Sequence, residues 1–129
     1  MTLIDTSSWI HFLRKNGEPS VKGRVRGLLE NAEAALCPVI IVELWMGAGS
    51  GKDQSDVAKL EKRLPQLEIH SSVWARANRL SQLCRSHGTP VPASDVIIAA
   101  CAFEHDAEIE AVDAHYPILA RYRGASAPS

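Results

Sequence analysis

Fifteen acidic side chains occur in this 129-residue chain, and four of them lie where solvation does not explain them. Asp5 follows the apolar pair Leu3-Ile4, Asp113 ends the segment Ile109–Val112, and Asp95 opens the apolar run Val96–Phe103. Glu43 stands inside Val39-Ile40-Ile41-Val42-Glu43-Leu44-Trp45-Met46, a segment almost without other polar side chains. A carboxylate in such company must be protonated, paired with a cation or bound to a metal, because burying its bare charge is strongly unfavourable. Singly, each of the four has a structural explanation. Glu43 could pair with an arginine, Asp95 could sit at the positive end of a helix, Asp5 could cap the turn after a strand, and Asp113 could be a turn aspartate. Together they would need four unrelated explanations, and one common remedy is simpler. Carboxylates held a few ångströms apart repel, and a hard divalent cation relieves the repulsion. Mg2+ or Mn2+ takes oxygen ligands and is typically held by a few carboxylates plus substrate phosphates. The chemistry that follows is metal-assisted phosphodiester hydrolysis. One ion activates the attacking water, and a second, about 3.5–4 Å away, stabilises the leaving oxygen. The other acidic residues, Glu18, Glu30, Glu33, Asp53, Asp56, Glu61, Glu68, Glu104, Asp106, Glu108 and Glu110, read as solvated.

Positioning these groups requires strands that end at them. Leu3–Asp5 reads as a short buried strand, with Thr6, Ser7 and Ser8 as candidate N-caps for a helix through Leu13. Pro19 opens a second helix carrying Val21, Val25, Leu28 and Leu29 at helical spacing, and Ala34–Cys37 reads as a second strand. Pro38 suits the first position of a helix over Val39–Ala48, and Asp53–Leu64 forms an amphipathic helix stopped by Pro65. Leu67-Glu68-Ile69 alternates like a third strand, and Ser71 or Ser72 caps the next helix. The helix Val96–Phe103 is apolar almost all round and should be central. Ile109–Val112 reads as a last strand, His115–Tyr122 as a short helix and Gly124–Ser129 as a frayed tail. Strands alternating with helices imply a parallel sheet covered on both faces, with the functional crevice beyond the carboxyl ends of the strands. Asp5 and Asp113 both fall there.

In order and spacing, Leu3-Ile4-Asp5-Thr6-Ser7, Val42-Glu43-Leu44 with Gly47, Asp95-Val96-Ile97-Ile98-Ala99-Ala100-Cys101-Ala102, and Val112-Asp113 with Tyr116 downstream resemble the PIN-domain ribonucleases. The likeness is greatest to the VapC-type toxins of bacterial toxin–antitoxin pairs and spans essentially the whole chain. It implies a PIN-like three-layer α/β fold with a central parallel sheet of four or five strands flanked by helices. It also implies a Mg2+- or Mn2+-dependent endoribonuclease acting on structured RNA such as tRNA or ribosomal RNA. A homodimer is implied, inhibited by a cognate antitoxin whose tail occupies the groove. By position, the resemblance makes Asp5 and Asp95 the main metal ligands, with Asp113 completing or water-bridging the site. Glu43 would position a water or a second ion, and the hydroxyls of Thr6 and Ser7 would orient Asp5. The chain departs from the family in having Ala111 where Thr or Ser often precedes the last acidic residue. It also reaches Ser129 soon after Tyr122-Arg123, so a last edge strand should be short or absent.

The length suits a single domain over residues 1–129. A hydrophobic share of 46% with net charge −1 is an ordinary globular balance, and no apolar stretch approaches the ~18 residues of a membrane span. The start Met1-Thr2-Leu3-Ile4-Asp5 lacks a basic region, and Cys37, Cys84 and Cys101 read as reduced core thiols, so a cytoplasmic protein is expected. His11, His70, His87, His105 and His115 show no metal-ligand spacing. They read as structural or solvated, with His115 the candidate exception because it lies two residues after Asp113. Trp9, Trp45 and Trp74 read as core or dimer-interface aromatics rather than base-stacking platforms. Arg14, Lys15, Lys22, Arg24 and Arg26 form the densest basic cluster, open to a solvated face or an RNA-backbone role.

Other classes fit less well. A signalling receiver domain would need an acidic pair after the first strand and a late lysine, and no lysine follows Arg63. A catalytically silent PIN-like module that binds RNA or protein would not need all four carboxylates. Near-neutral total charge argues against a grossly basic nucleic-acid binder. Setting the four carboxylates aside, however, leaves fourteen basic against eleven acidic side chains, a mildly basic remainder able to meet phosphates.

Overall fold

The computed structural model describes residues 1–125. Its elements run β1 (Thr2–Ile4), α1 (Thr6–Leu13), α2 (Pro19–Glu30), β2 (Ala34–Ala35), α3 (Pro38–Gly47), α4 (Gly51–Arg63), α5 (Ser71–Ser86), α6 (Ala93–Glu104), β3 (Glu108–Glu110) and α7 (His115–Ala120). The strands form a parallel sheet in the order β2-β1-β3, with Leu3 opposite Ala35 on one side and Ile109 on the other.

The sheet has three strands where four or five were expected, and the shortfall is local. The segment anticipated as a strand over Leu67–Ile69 contributes only a parallel bridge between Leu36 and Gln66. Leu36 donates its N–H to the Pro65 carbonyl at 2.9 Å and accepts the Leu67 N–H at 2.7 Å. No longer ladder can form, because Cys37 is already the N-cap of α3 and Pro38, at its first turn, has no N–H to give. The last strand likewise ends at Glu110 rather than Val112.

Several helix starts differ from expectation, while Asp5 does cap the turn after β1, as one reading of it offered. Asp5, not Thr6, Ser7 or Ser8, is the N-cap of α1, and its carboxylate accepts the Ser7 N–H at 3.0 Å. Ser50 caps α4, taking the Asp53 N–H at 3.1 Å, so that helix begins at Gly51 rather than Asp53. His70 precedes α5, and neither Ser71 nor Ser72 acts as its cap. Pro19 and Pro38 stand at the first turns of α2 and α3 as the sequence suggested.

The core gathers Leu3, Ile4, Trp9, Leu36, Ile40, Leu80, Ile98 and Leu119, all fully buried. Helix α6 is central as anticipated: every residue from Ile98 to Phe103 is buried, and α5 packs along it. Helix α3, also almost wholly apolar, leaves Val42, Trp45 and Met46 exposed, and Trp74 on α5 is exposed too. The three cysteines are free and buried. Among the described residues no helix is long and apolar enough to cross a membrane.

The anticipated frayed tail lies partly outside the described residues, which stop at Ala125, and no strand follows α7 among them. The stretch before that point is held: Arg76 Nη1 donates to the Arg123 carbonyl at 3.0 Å, and Arg123 Nη1 donates to the Ala107 carbonyl at 2.9 Å.

Gly17 closes the turn after α1, where an added Cβ would overlap the His11 carbonyl oxygen. Gly17→Ala is therefore expected to cost about 2 kcal/mol, read as a lowered midpoint in urea unfolding.

Candidate active site

Each of the four carboxylates is delivered by a different element. Asp5 follows β1 and caps α1, Glu43 projects from the middle of α3, Asp95 lies in the first turn of α6, and Asp113 follows β3 and precedes α7. Parallel β1 and β3 present their carboxyl ends on the same edge, which brings Asp5 and Asp113 to one side of the sheet.

Hydrogen bonds knit three of the four directly. The Tyr116 hydroxyl donates to Asp5 Oδ1 at 2.8 Å and stands 3.4 Å from Asp95 Oδ1. His115 Nδ1 lies 2.8 Å from Asp95 Oδ2 and 2.7 Å from Asp113 Oδ1, and the His115 N–H donates to Asp113 Oδ1 at 2.7 Å. Glu43 is half-buried and accepts the Thr6 hydroxyl at 2.9 Å. Asp5 and Asp95 are buried, at 4% and 7% exposure, a depth charged side chains seldom reach without a partner.

The two hydroxyls expected to orient Asp5 do something else. Thr6 and Ser7 occupy the first turn of α1, where the backbone N–H groups, not the side chains, point at the cap carboxylate. Asp5 is therefore held by the Ser7 N–H, Thr6 braces Glu43, and the Ser7 hydroxyl accepts the Val112 N–H at 3.1 Å. That last bond ties the end of the β3 segment to α1, beside the position where Ala111 lacks a hydroxyl.

The electrostatics match a cluster of like charges. Burial pushes the Glu43 carboxyl above its ordinary value, and Asp5, Asp95 and Asp113 push it further against the Thr6 hydrogen bond. Burial likewise raises the Asp95 carboxyl, offset by the hydrogen bond from His115 and reinforced by Asp113 and Asp5. The Tyr116 phenol is raised by burial and by the charge of Asp5, so it stays a proton donor to the carboxylates. Among the described residues no lysine or arginine pairs with Asp5, Glu43, Asp95 or Asp113. The arginine partner considered for Glu43 is thus not found.

Two residues that the sequence marked only by their nearness to Asp113 join the site. His115 shows no ligand spacing along the chain, yet its nitrogen, Asp95 and Asp113 offer atoms all within 4.8 Å of one another. Tyr116 was noted only as a downstream aromatic. The adjacency of both to Asp113 was the available hint; their contacts with Asp95 depend on how α7 packs against α6.

Some residues read as solvated are structural instead. Glu110, with its side chain 11% exposed, accepts Ser8 Oγ at 2.6 Å and Arg24 Nε at 2.6 Å. Its physical reason is the covered parallel sheet, which leaves no wet face for an alternating strand. Glu104 pairs with Arg76 at 3.0 Å, and Glu61 accepts the Trp45 indole N–H at 2.9 Å. Glu110→Ala leaves the fully buried Ser8 hydroxyl without its acceptor and is expected to cost roughly 1–3 kcal/mol, measurable by denaturant unfolding.

The basic cluster divides accordingly. Lys22 caps the end of α1 through the Arg14 carbonyl at 2.5 Å, and Arg24 serves Glu110. Arg14 instead lines a groove of about 220 Å³ between α1, α3 and α4, which also contains Thr6, Glu43, Gly47 and Val57. This groove opens next to the carboxylates, with Arg14 as its basic group.

The PIN domain family matches residues 2–122. The chain is 33% identical over 133 residues to ribonuclease VapC11 of Mycobacterium tuberculosis, covering all of this chain and 98% of that protein. Its fold superposes on FitAcB from Neisseria gonorrhoeae with a TM-score of 0.78 at 23% identity, covering 94% of each chain. A toxin–antitoxin complex from Klebsiella pneumoniae matches with a TM-score of 0.69 at 19% identity, over 84% of this chain and 83% of that one. Family match, identity over the full length and fold agree with the carboxylates gathered at the sheet edge: the chain belongs to the PIN-domain family, as a protein of the VapC ribonuclease type.

Proposed function

We propose that this single domain is the toxin of a toxin–antitoxin pair, a divalent-metal-dependent endoribonuclease that hydrolyses phosphodiester bonds in structured RNA, tRNA or ribosomal RNA. The observation that carries the reading is the convergence of Asp5, Glu43, Asp95 and Asp113 with no lysine or arginine among the described residues to neutralise them. The donor set fits a hard cation: all four offer oxygen, two are buried, and two have raised proton affinity that a bound cation would relieve.

Asp5, Asp95 and Asp113 would hold Mg2+ or Mn2+, with Glu43 beside them, and the ion supplies Lewis acidity to the scissile phosphate. The chain's own groups do the rest. The Ser7 N–H and the Tyr116 hydroxyl fix Asp5 in one rotamer, which spares reorganisation during reaction. Glu43, braced by Thr6 and with raised proton affinity, would orient the attacking water and receive its proton as the new P–O bond forms and the bond from phosphorus to the leaving ribose oxygen breaks, that oxygen departing to be protonated by solvent. Arg14, exposed along the groove, meets the RNA backbone, and the mildly basic remainder of the chain supplies long-range attraction.

The partners follow from the same reading. A cognate antitoxin would fill the groove between α1, α3 and α4 and present a basic residue to the carboxylates. A second copy would cover the exposed Val42, Trp45 and Met46 of α3, giving a homodimer in the cytoplasm. The test is induction of the chain in a host without its partner, followed by sequencing of RNA 5′ ends. New ends at discrete positions of structured RNAs are expected with the natural protein and not with Asp5→Asn. No new ends would favour the silent binding module.

A further inference from the structure

We infer that His115 is a nitrogen ligand of the carboxylate centre, which makes it a mixed nitrogen–oxygen site favouring Mn2+ over Mg2+. This rests on the metal-dependent reading above and refines it. The imidazole Nδ1 is 2.8 Å from Asp95 Oδ2 and 2.7 Å from Asp113 Oδ1, and the three groups offer donor atoms within 4.8 Å of one another. Adjacent donors around a small six-coordinate ion stand about 3 Å apart, so these atoms already have nearly the spacing of neighbouring ligands.

Local structure holds the ring there. His115 is the first residue of α7, and its N–H donates to Asp113 Oδ1 at 2.7 Å, fixing the backbone from which the imidazole projects. Tyr116, the next residue, reaches Asp5 and Asp95, so the first turn of α7 is anchored to three carboxylates at once. The Asp95 side chain that His115 faces is only 9% exposed. One imidazole offsets at most one of the four negative charges, which leaves the cluster still needing a cation.

Imidazole is a softer donor than carboxylate or water. Mg2+ takes oxygen donors almost to the exclusion of nitrogen, whereas a transition-metal ion accepts both. Exchanging one oxygen donor for the His115 nitrogen therefore shifts the preference of the site toward Mn2+. In this geometry Nδ1 donates to Asp95; as a ligand the ring would give up that proton on binding the ion, keep one on Nε2 and turn its Nδ1 lone pair inward.

The test is pulsed electron paramagnetic resonance on the full chain, stripped of metal by chelation and loaded with Mn2+ alone, alongside calorimetric titrations with Mn2+ and Mg2+. The natural protein should show nitrogen-14 coupling from a directly bound imidazole, and His115→Ala should lose it. The same variant should bind Mn2+ at least about tenfold more weakly, with a smaller change for Mg2+. His115→Asp, which restores an oxygen donor, should bind both ions without nitrogen coupling and with a reduced preference for Mn2+. Bound Mn2+ without nitrogen coupling in the natural protein overturns the inference and leaves the carboxylate centre standing. Tighter Mn2+ binding by His115→Ala also overturns it, because the imidazole would then compete with the ion for Asp95 and Asp113. Failure of the natural protein to bind Mn2+ at all defeats the metal-dependent reading together with this one.

Discussion

Asp95→Asn is expected to leave the fold intact and to lower metal-dependent RNA cleavage by on the order of a hundredfold or more. The fold should survive because asparagine keeps the shape of the side chain and an oxygen that still accepts from the Tyr116 hydroxyl. Activity should fall because the substitution removes a negative charge from a centre whose other carboxylates cannot move in to replace it. Asp5→Asn is expected to behave in the same way, since asparagine is as good an N-cap as aspartate and α1 keeps its start. Circular dichroism and thermal unfolding check the first half, and the initial rate of RNA cleavage checks the second. Activity near that of the natural protein in both variants would remove these carboxylates from the mechanism.

A divalent ion is expected to raise the melting temperature by about 10 °C at one hundred times its dissociation constant. An ion that binds only the folded state adds about 2.7 kcal/mol at that ratio, and a domain of this size converts it to roughly that shift. The apoprotein should show a corresponding weakness with a definite sign in pH. The carboxyls of Glu43 and Asp95 are raised above their ordinary values in the folded state, so the folded chain binds protons that the unfolded chain has already released. Stability contributed by those protons is present at low pH and is lost as pH rises from the ordinary carboxylate range through the raised values. Glu43→Gln is neutral at all pH values and should melt higher than the natural apoprotein at neutral pH, with the gap closing on acidification and on adding Mn2+. A melting temperature indifferent to millimolar ion, or a Glu43→Gln variant that melts lower at neutral pH without ion, would mean the carboxylates do not strain the apoprotein.

The candidate site was more legible in the sequence than the sheet that carries it. Asp5, Glu43 and Asp95 announce themselves because each interrupts or abuts a run of apolar residues, and that contrast is visible without any knowledge of pairing. Strand lengths were not visible, because β2 is only two residues long and the Leu67 segment meets it at one bridge before Pro38 turns the chain into α3. Glu110 was misread for a related reason. Its alternation with Glu108 looks like a wet strand face, but a parallel sheet covered on both sides turns it onto Ser8 and Arg24. Hydropathy alone does not separate two apolar helices: α3 leaves Met46 83% exposed, whereas Ile98 of α6 is fully buried. His115 and Tyr116 were marked only by their place beside Asp113, and their partners were hidden. They meet Asp95 and Asp5 across 20 and 111 residues of chain, a contact made by the docking of α7 rather than by any local pattern.

The central claim is that the four carboxylates form a metal-dependent nuclease centre. Its most direct test is cleavage of structured RNA by the purified, antitoxin-free chain in EDTA, followed by addition of excess Mg2+ or Mn2+. The account predicts no cleavage in EDTA, cleavage at discrete positions once the ion is restored, and none at any ion concentration with Asp95→Asn. Cleavage that persists undiminished in EDTA would contradict it.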